Sequence, residues 1–266
     1  RIAATNALSD VYAMGGTPIM ALAILGMPVN VLPAATIARI LQGGRDVCER
    51  AGIPVAGGHS IDSVEPIYGL VALGLAHPDH IRCNASAQAG DLLILGKPIG
   101  VGVYSAALKK GQLDEAGYAS MIKSTTTLNR AGPAIAKLAG VHAMTDVTGF
   151  GLLGHAHEMV RTTALDIEIR RTQVPLLPGV FELAQAGAIT GASHRNWASY
   201  QHGIDGLVCD NQHWRDLLTD PQTSGGLLVA CKPDIAGDVM AQFKQHGCEP
   251  AIVGEIKPGT GRVRVT

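Results

Sequence analysis

The first third of the chain alternates between helical and extended apolar patterns. Small and apolar positions dominate residues 1–13, and a glycine pair follows, which predicts a helix that ends there. The apolar run 18–25 predicts a buried strand, and apolar residues three to four apart over 33–51 predict a second helix that stops at Gly52. Two further strands are predicted at 54–56 and 68–76. Helix and strand in alternation are typical of an α/β fold.

The remaining two thirds continue this alternation after a small, polar segment at 84–91. A strand at 92–95 leads into a glycine-rich turn at 97–102 and a helix to about residue 110. The later pattern predicts helices at about 115–138, 151–161, 180–186, 214–218 and 235–246, and strands at 167–169, 227–230 and 251–255. We therefore expect a mixed α/β (α+β) protein with two domains, residues 1–86 and 87–266.

Composition supports a packed core that is shaped by glycine. Hydrophobic residues make up 47% of the 266 residues and charged residues 16%, which is below the usual proportion of about 25%. The 33 glycines are in excess, whereas aromatic residues are only 4%. The core must therefore consist mostly of Ala, Val, Leu and Ile, and intrinsic disorder is excluded.

Charge and cysteine usage exclude several classes of protein. The net charge of −1 offers no basic surface for nucleic acid, and the apolar run 19–24 is far shorter than the roughly 20 residues of a membrane span. No signal peptide opens the chain. The five cysteines are scattered, form no CxxC pair and are typical of a reducing cytosol: Cys48, Cys83, Cys209, Cys231 and Cys248. We expect a cytoplasmic protein without nucleic-acid or membrane partners.

Asp10 is the first candidate functional residue. It is the only acidic residue between Arg1 and Asp46, and its neighbours are mostly small and apolar. A carboxylate in such surroundings must be solvated, paired or metal-bound. Asn6 lies one turn earlier on the same helix face. The alternative is a solvated helix face or a partner for Arg1.

Gly58, His59 and Ser60 form the second candidate, within a loop that follows a predicted strand. The glycine pair 57–58 allows the backbone to approach a ligand closely, and its N–H groups can face phosphate. The Ser60 hydroxyl and the His59 ring could add polar contacts. An ordinary turn is the alternative, because a glycine pair alone has low specificity.

Asp146 is the third candidate, within Met144-Thr145-Asp146-Val147-Thr148-Gly149-Phe150-Gly151. Its carboxylate could hold a cation next to an anion bound at the helix that follows. Mg²⁺ prefers a few carboxylates together with water and substrate phosphates. The alternative is helix capping by Asp or Thr. His155 and His157 are two residues apart on that helix, so they face apart and a shared metal is not expected.

Residues 220–226, Asp220-Pro221-Gln222-Thr223-Ser224-Gly225-Gly226, are rich in turn formers and precede a strand. They predict a purely architectural turn. The chain contains no Walker lysine motif and no nucleophile elbow. From patterns alone, phosphate chemistry is therefore plausible but unspecified.

Four segments, in order along nearly the whole chain, resemble the selenophosphate synthetase (selenide, water dikinase) family. They are residues 1–16, 56–62, 144–155 and 220–226, and Lys97-Pro98-Ile99-Gly100 and Arg195-Asn196 also fit. The resemblance implies the fold of the aminoimidazole-ribonucleotide-synthetase-like ATP-using superfamily. Its N-terminal half would form a homodimer through its sheet, and its C-terminal half would be an α/β layer.

The resemblance also implies the reaction and the site. ATP, selenide and water would give selenophosphate, orthophosphate and AMP. Asp10 and Asp146 are similar to two of the aspartates that hold Mg²⁺ on the ATP phosphates. Gly58, His59 and Ser60 are similar to a loop that contacts the nucleotide across the dimer, and potassium is often required as well.

The chain departs from the family before Arg1, where family members carry a glycine-rich segment. That segment holds a reactive Cys or selenocysteine, a Lys and further aspartates, so no catalytic residue is assigned here, and the chain alone is expected to be inactive or impaired. Two alternatives are another ATP-using enzyme of the superfamily, such as a thiamine-phosphate kinase or a ribonucleotide cyclo-ligase, and a non-catalytic dimeric nucleotide-binding module. The motifs around Gly58 and Asp146 argue against the other enzymes.

Overall fold

The computed structural model describes all 266 residues and contains two β-sheets. The N-terminal part contains five elements: α1 (Ile2–Ala13), β1 (Thr17–Met27), α2 (Ala34–Ala51), β2 (Val55–Asp62) and β3 (Ile67–Leu75). Its three strands lie in the order β2-β1-β3, with β2 parallel and β3 antiparallel to β1. None of the helices combines the length and apolar character needed to cross a bilayer.

The C-terminal part is built on a seven-stranded sheet in the order β5-β8-β4-β9-β6-β10-β7. Its strands are β4 (Leu92–Leu95), β5 (Val141–Asp146), β6 (Leu165–Ile169), β7 (Ile204–Gly206), β8 (Leu227–Cys231), β9 (Ala251–Pro258) and β10 (Val263–Val265). Its helices are α3 (Val101–Lys109), α4 (Glu115–Thr126), α5 (Gly132–Ala136), α6 (Gly151–Val160), α7 (Val180–Gln185), α8 (Gly191–Tyr200), α9 (Gln212–Leu218) and α10 (Ala236–Gln245).

Alternating residues of the central strand β4 supply two cores, one on each face of the large sheet. Leu93 and Leu95 belong to the largest apolar cluster, which includes Leu152 and Met159 of α6. Ile94 faces the opposite way and packs in the cluster that contains residues of α5 and α10. Because side chains alternate along a strand, the fully apolar sequence of β4 is explained by burial on both faces.

Helix α1 joins the two parts of the molecule. Leu8 and Tyr12 are buried among residues of α2 and β1. Ala13 instead packs in a core cluster of the seven-stranded sheet. Helix α1 therefore contacts both parts of the molecule, and its polar residues Asn6 and Asp10 line a cleft between them.

The predicted mixed α/β fold is confirmed, with the helix over 115–138 as the main error. Two helices, α4 and α5, occupy that range, and residues 127–131 separate them. Pro133 lies in the first turn of α5, where its missing N–H is tolerated, whereas it would interrupt the middle of a longer helix. Helix α8 and the strands β5, β7 and β10 were not predicted.

The prediction that Gly58, His59 and Ser60 form a loop was wrong, because all three lie in β2. Gly58 pairs with Ala23 of β1, and a Cβ at Gly58 would lie 1.9 Å from the Ala23 carbonyl oxygen. The glycine therefore allows the two backbones to approach, which is a structural reason for this residue type.

Substituting Gly58 with Ala is expected to lower the free energy of unfolding by roughly 2 kcal/mol, because the new methyl group would force β1 and β2 apart. Gly69→Ala in β3 is the matched control, since no atom lies within 4 Å of a Cβ at that position. Urea denaturation of both variants measures the difference. Equal losses in the two variants would contradict the steric explanation.

Candidate functional site

A cleft of about 720 Å³ lies at the junction between the two sheets. Ala3, Asn6, Ala7 and Asp10 recur three to four positions apart along α1 and form one wall, as the helical period requires. The other walls come from β3 and from two loops of the C-terminal part, with the lining residues Gly69, Leu70, Thr148, Gly149, Gln222 and Thr223.

Asp146 ends β5 beside this cleft and is held by a buried hydrogen-bond relay. The Ser9 hydroxyl donates to Oδ2 of Asp146 at 2.5 Å. Asn129 Nδ2 donates to Ser9 Oγ and to the carbonyl oxygen of Gly225, at 2.9 Å each. Asp146 is 6% exposed, so its carboxylate is fixed by α1 and by the segment between α4 and α5.

Asp10 and Asp146 lie close enough for their charges to repel. Partial burial, and next the charge of Asp146, raise the pKa of Asp10 above its ordinary value. No group of three or more His, Cys, Asp or Glu side chains is placed to hold a metal without a substrate. Two carboxylates that repel each other do fit Mg²⁺, because this ion is usually bound by one or two carboxylates together with substrate phosphates.

The loop 220–226 is attached to α1 by one side chain of the cleft. Asn6 Oδ1 accepts the backbone N–H of Ser224 at 2.9 Å. Ser224 has φ of +51°, the only positive value outside glycine. Its carbonyl oxygen accepts a hydrogen bond from Lys97 Nζ at 2.8 Å. The strained turn is therefore fixed on both sides, a pattern that often accompanies functional loops.

The same loop caps helix α3. Gln222 Oε1 accepts the backbone N–H groups of Gly100 and Val101 at 3.0 and 3.2 Å. Asp220 Oδ2 accepts the N–H of Gly102 at 2.9 Å. The loop thus has the architectural role that the sequence predicted, and through Gln222 it also lines the cleft.

His155 and His157 point to different neighbours. His155 Nε2 accepts the backbone N–H of Thr148 at 3.0 Å, and burial lowers the pKa of this histidine. The neutral ring therefore fixes the loop at 148–149 rather than acting as a charged ligand. His157 stacks edge-on against His202, with ring centroids 5.8 Å apart.

The structure thus brings together some of the predicted site residues and not others. Asp10 lines the cleft, and Asp146, which does not line it, is near enough for its charge to act on Asp10. Gly58, His59 and Ser60 are exposed on β2 and do not line the cleft. Sequence reasoning missed Asn129, whose only signal was its place just before the helix-interrupting Gly132-Pro133.

Family models match nearly the whole chain. Residues 1–76 match the N-terminal domain of AIR synthase related protein, and residues 88–266 match its C-terminal domain. Among solved structures, hydrogenase maturation protein HypE in complex with ATP has a TM-score of 0.75 at 16% identity, covering 99% of this chain and 74% of that one. Thiamine-monophosphate kinase from Stenotrophomonas maltophilia K279a has a TM-score of 0.72 at 18% identity, covering 97% and 75%.

Closer relatives share much more of the sequence. "Selenide, water dikinase" of Burkholderia pseudomallei (strain K96243) is 62% identical over 100% of this chain and 75% of the relative. The protein of the same name from Pseudomonas straminea is 58% identical over 100% of this chain and 74% of its own length, and that from Rhizobium meliloti (strain 1021) is 57% identical over 100% and 76%.

The fold, with an aspartate pair near the junction of its two sheets, is that of the AIR synthase related proteins. Within that class, the chain belongs to the selenide, water dikinase family.

Proposed function

We propose that this chain provides the ATP-binding part of a selenide, water dikinase, which forms selenophosphate, orthophosphate and AMP from ATP, selenide and water. The observation that carries the proposal is identity of about 60% over the full chain to relatives of that name. The paired carboxylates at the cleft supply a physical basis. The solved structures that share the fold are only 15–20% identical to this chain.

In this proposal Asp10 and Asp146 hold Mg²⁺ against the phosphates of ATP. The ion, when bound, neutralises the charge that develops during phosphoryl transfer. Ser9 and Asn129 keep the Asp146 carboxylate in one orientation, as partners of metal ligands generally do. Asn6 holds the loop with Gln222 and Thr223 against α1, so the cleft keeps its shape before the nucleotide enters.

The decisive test is selenide-dependent formation of AMP from ATP. The assay is run with this chain alone and with this chain joined to the part of the Burkholderia pseudomallei relative that lies outside the matched 75%. AMP that requires selenide, and that is lost with Asp146→Asn, is the expected result for the joined protein. Phosphorylation of another acceptor without formation of AMP would instead favour a different enzyme of the class.

A homodimer through the three-stranded sheet belongs to the same proposal. Leu22 pairs with Val71, and Ile24 pairs with His59 on the other neighbouring strand, so these four side chains share one face. Leu22, Ile24 and Val71 are 37%, 41% and 54% exposed. A contiguous apolar face of this kind marks an interface, and pairing would carry His59 towards the second copy.

Val71→Lys is expected to shift the chain towards the monomer, because a charge would be buried at the centre of that face. Val64→Lys is the matched control, since Val64 is 95% exposed and lies between β2 and β3. Sedimentation velocity over a range of concentrations measures the association. A monomeric unsubstituted chain, or a dimer that tolerates Val71→Lys, would argue against this interface.

A further inference from the structure

A second cavity, of about 270 Å³, lies in the C-terminal part and shares no residue with the cleft. One wall is α4, a second is the apolar segment Leu176-Leu177-Pro178, and the third is Gly247-Cys248-Glu249. Lys97 and Pro98 complete the lining. Of these residues, only Lys97 has a role described above, as the donor to the carbonyl oxygen of Ser224.

The α4 wall and its C-cap are polar where a helix normally packs apolar side chains. Ser120, Lys123, Ser124 and Thr127 all line the cavity. They recur at positions i, i+3, i+4 and i+7, so they lie on one face of the helix. The Thr127 hydroxyl already donates to the carbonyl oxygen of Lys123 at 2.7 Å, so the donors that this stripe offers to the cavity are Lys123 and the hydroxyl groups of Ser120 and Ser124.

Lys97 adds a buried positive charge to that stripe. It is 3% exposed, and its Nζ donates to two main-chain carbonyl oxygens, of Thr127 at 2.6 Å and of Ser224 at 2.8 Å. An ammonium carries three N–H groups, so one has no partner. Lys97 forms no salt bridge, although buried charges are normally paired.

The charges around the cavity favour an anion. Burial lowers the pKa of Lys97 to about 8, so this lysine still carries most of its charge at neutral pH. Burial raises the pKa of the Cys248 thiol, which keeps it neutral. The exposed side chains of Lys123 and Glu249 oppose each other in sign. The charge of Asp146 also acts on Lys97, but Asp146 does not line the cavity, so within the lining only Glu249 opposes the two lysines.

We propose that this cavity binds a small tetrahedral oxyanion of the phosphate type, free or as the head group of a small phosphate ester. Lys97, Lys123 and Ser124 would donate to its oxygens, and Leu176 and Leu177 would contact the organic part of an ester. The volume exceeds that of a few water molecules, at about 30 Å³ each, so such a ligand can be accommodated.

The position of Lys97 gives this binding a consequence for the cleft. Its Nζ holds the carbonyl oxygen of Ser224, whose N–H is held by Asn6 of the cleft wall. An anion beside Lys97 would keep the lysine protonated and so strengthen its hold on this loop.

Isothermal titration of the chain with inorganic phosphate, in EDTA so that no divalent ion loads the cleft, tests the proposal. Lys123→Ala is expected to weaken phosphate binding about tenfold, because one charge-assisted contact is lost. Lys109→Ala on α3 is the matched control for removing an exposed lysine. It should bind phosphate like the unsubstituted chain.

A crystal soaked in selenate, a tetrahedral anion with an anomalous signal, locates the site directly. Density beside Lys97 and Ser124 supports the proposal, and tighter binding of glycerol phosphate than of phosphate would identify an ester as the preferred source. The proposal is overturned if phosphate does not bind at millimolar concentration, if Lys123→Ala and Lys109→Ala behave alike, or if selenate occupies only the cleft. None of these outcomes depends on selenophosphate formation.

Discussion

Asp146→Asn is expected to weaken the Mg²⁺-dependent binding of a non-hydrolysable ATP analogue on the order of a hundredfold. The substitution preserves the shape of the side chain but removes one of the two carboxylates whose charges act on each other beside the cleft. Contacts between a carboxylate and a divalent ion in a partly desolvated site contribute several kcal/mol, and each 1.4 kcal/mol is tenfold in affinity. Calorimetric titration at several Mg²⁺ concentrations measures the effect.

Asp10→Asn should also weaken Mg²⁺-dependent binding of the ATP analogue. It should not destabilise the fold, and in the absence of a cation it should stabilise it. The charge of Asp146 raises the pKa of Asp10, which means that the two carboxylates repel when no cation is present. Removing one charge relieves that repulsion, so the variant should unfold at an equal or higher temperature than the unsubstituted chain in EDTA. This combination distinguishes a metal-binding carboxylate from a purely structural one.

Asp238→Asn is the control for both variants. Asp238 is exposed on α10 and does not line the cleft, so this substitution removes the same charge away from the site. It should leave the affinity unchanged. Analogue binding that stays independent of Mg²⁺, or that survives both Asp10→Asn and Asp146→Asn, would refute the assignment of the cation site.

Much of the fold could be predicted because its signals are local. The apolar period of α2 and the apolar runs of β1 and β4 are read directly from neighbouring residues, and the structure confirms these elements. One failure has a local cause and the other a long-range cause. The helix predicted over 115–138 ignored Pro133, and β2 continues past Gly58 because β1 lies alongside it and supplies partners that the sequence of β2 does not reveal.

The site could be predicted only in part, since its contacts are long-range. Asp10 was noticed because it is an isolated charge in an apolar helix, and Asp146 because glycines and a helix follow it. That they approach each other is set by α1 packing beside β5, which no local pattern encodes. Asn129 and Ser9 are 120 positions apart, so their hydrogen bond had no signal in the sequence.

Asp220 gives the chain a pH-dependent stability that is independent of the cation site. Its side chain has no exposed surface, and its Oδ1 has no hydrogen-bond partner. Burial raises the pKa of Asp220 to about 7, although hydrogen bonds from Gln222 and from the backbone of Gly102 act in the opposite direction. Folding therefore requires this carboxyl group to keep its proton up to near neutral pH.

The contribution of Asp220 to stability is fully present below pH 4, declines as the pH rises from about 4 to 7, and is constant above that. In this range the unfolded chain has lost the proton and the folded chain still holds it, so raising the pH favours unfolding. Each pH unit corresponds to about 1.4 kcal/mol, which makes the loss between pH 5 and pH 8 about 3 kcal/mol.

Asp220→Asn should remove this dependence, because the amide cannot ionise and its oxygen can still accept the N–H of Gly102. Urea denaturation measures the free energy of unfolding of the variant and of the unsubstituted chain. The difference, variant minus unsubstituted chain, should therefore rise by about 3 kcal/mol from pH 5 to pH 8. Asp216→Asn is the control for replacing a buried carboxyl group by an amide, because Asp216 is also buried and lies on α9. A difference between Asp220→Asn and the unsubstituted chain that stays constant with pH would show that Asp220 is already ionised in the folded protein, with Gln222 and the start of α3 compensating its burial.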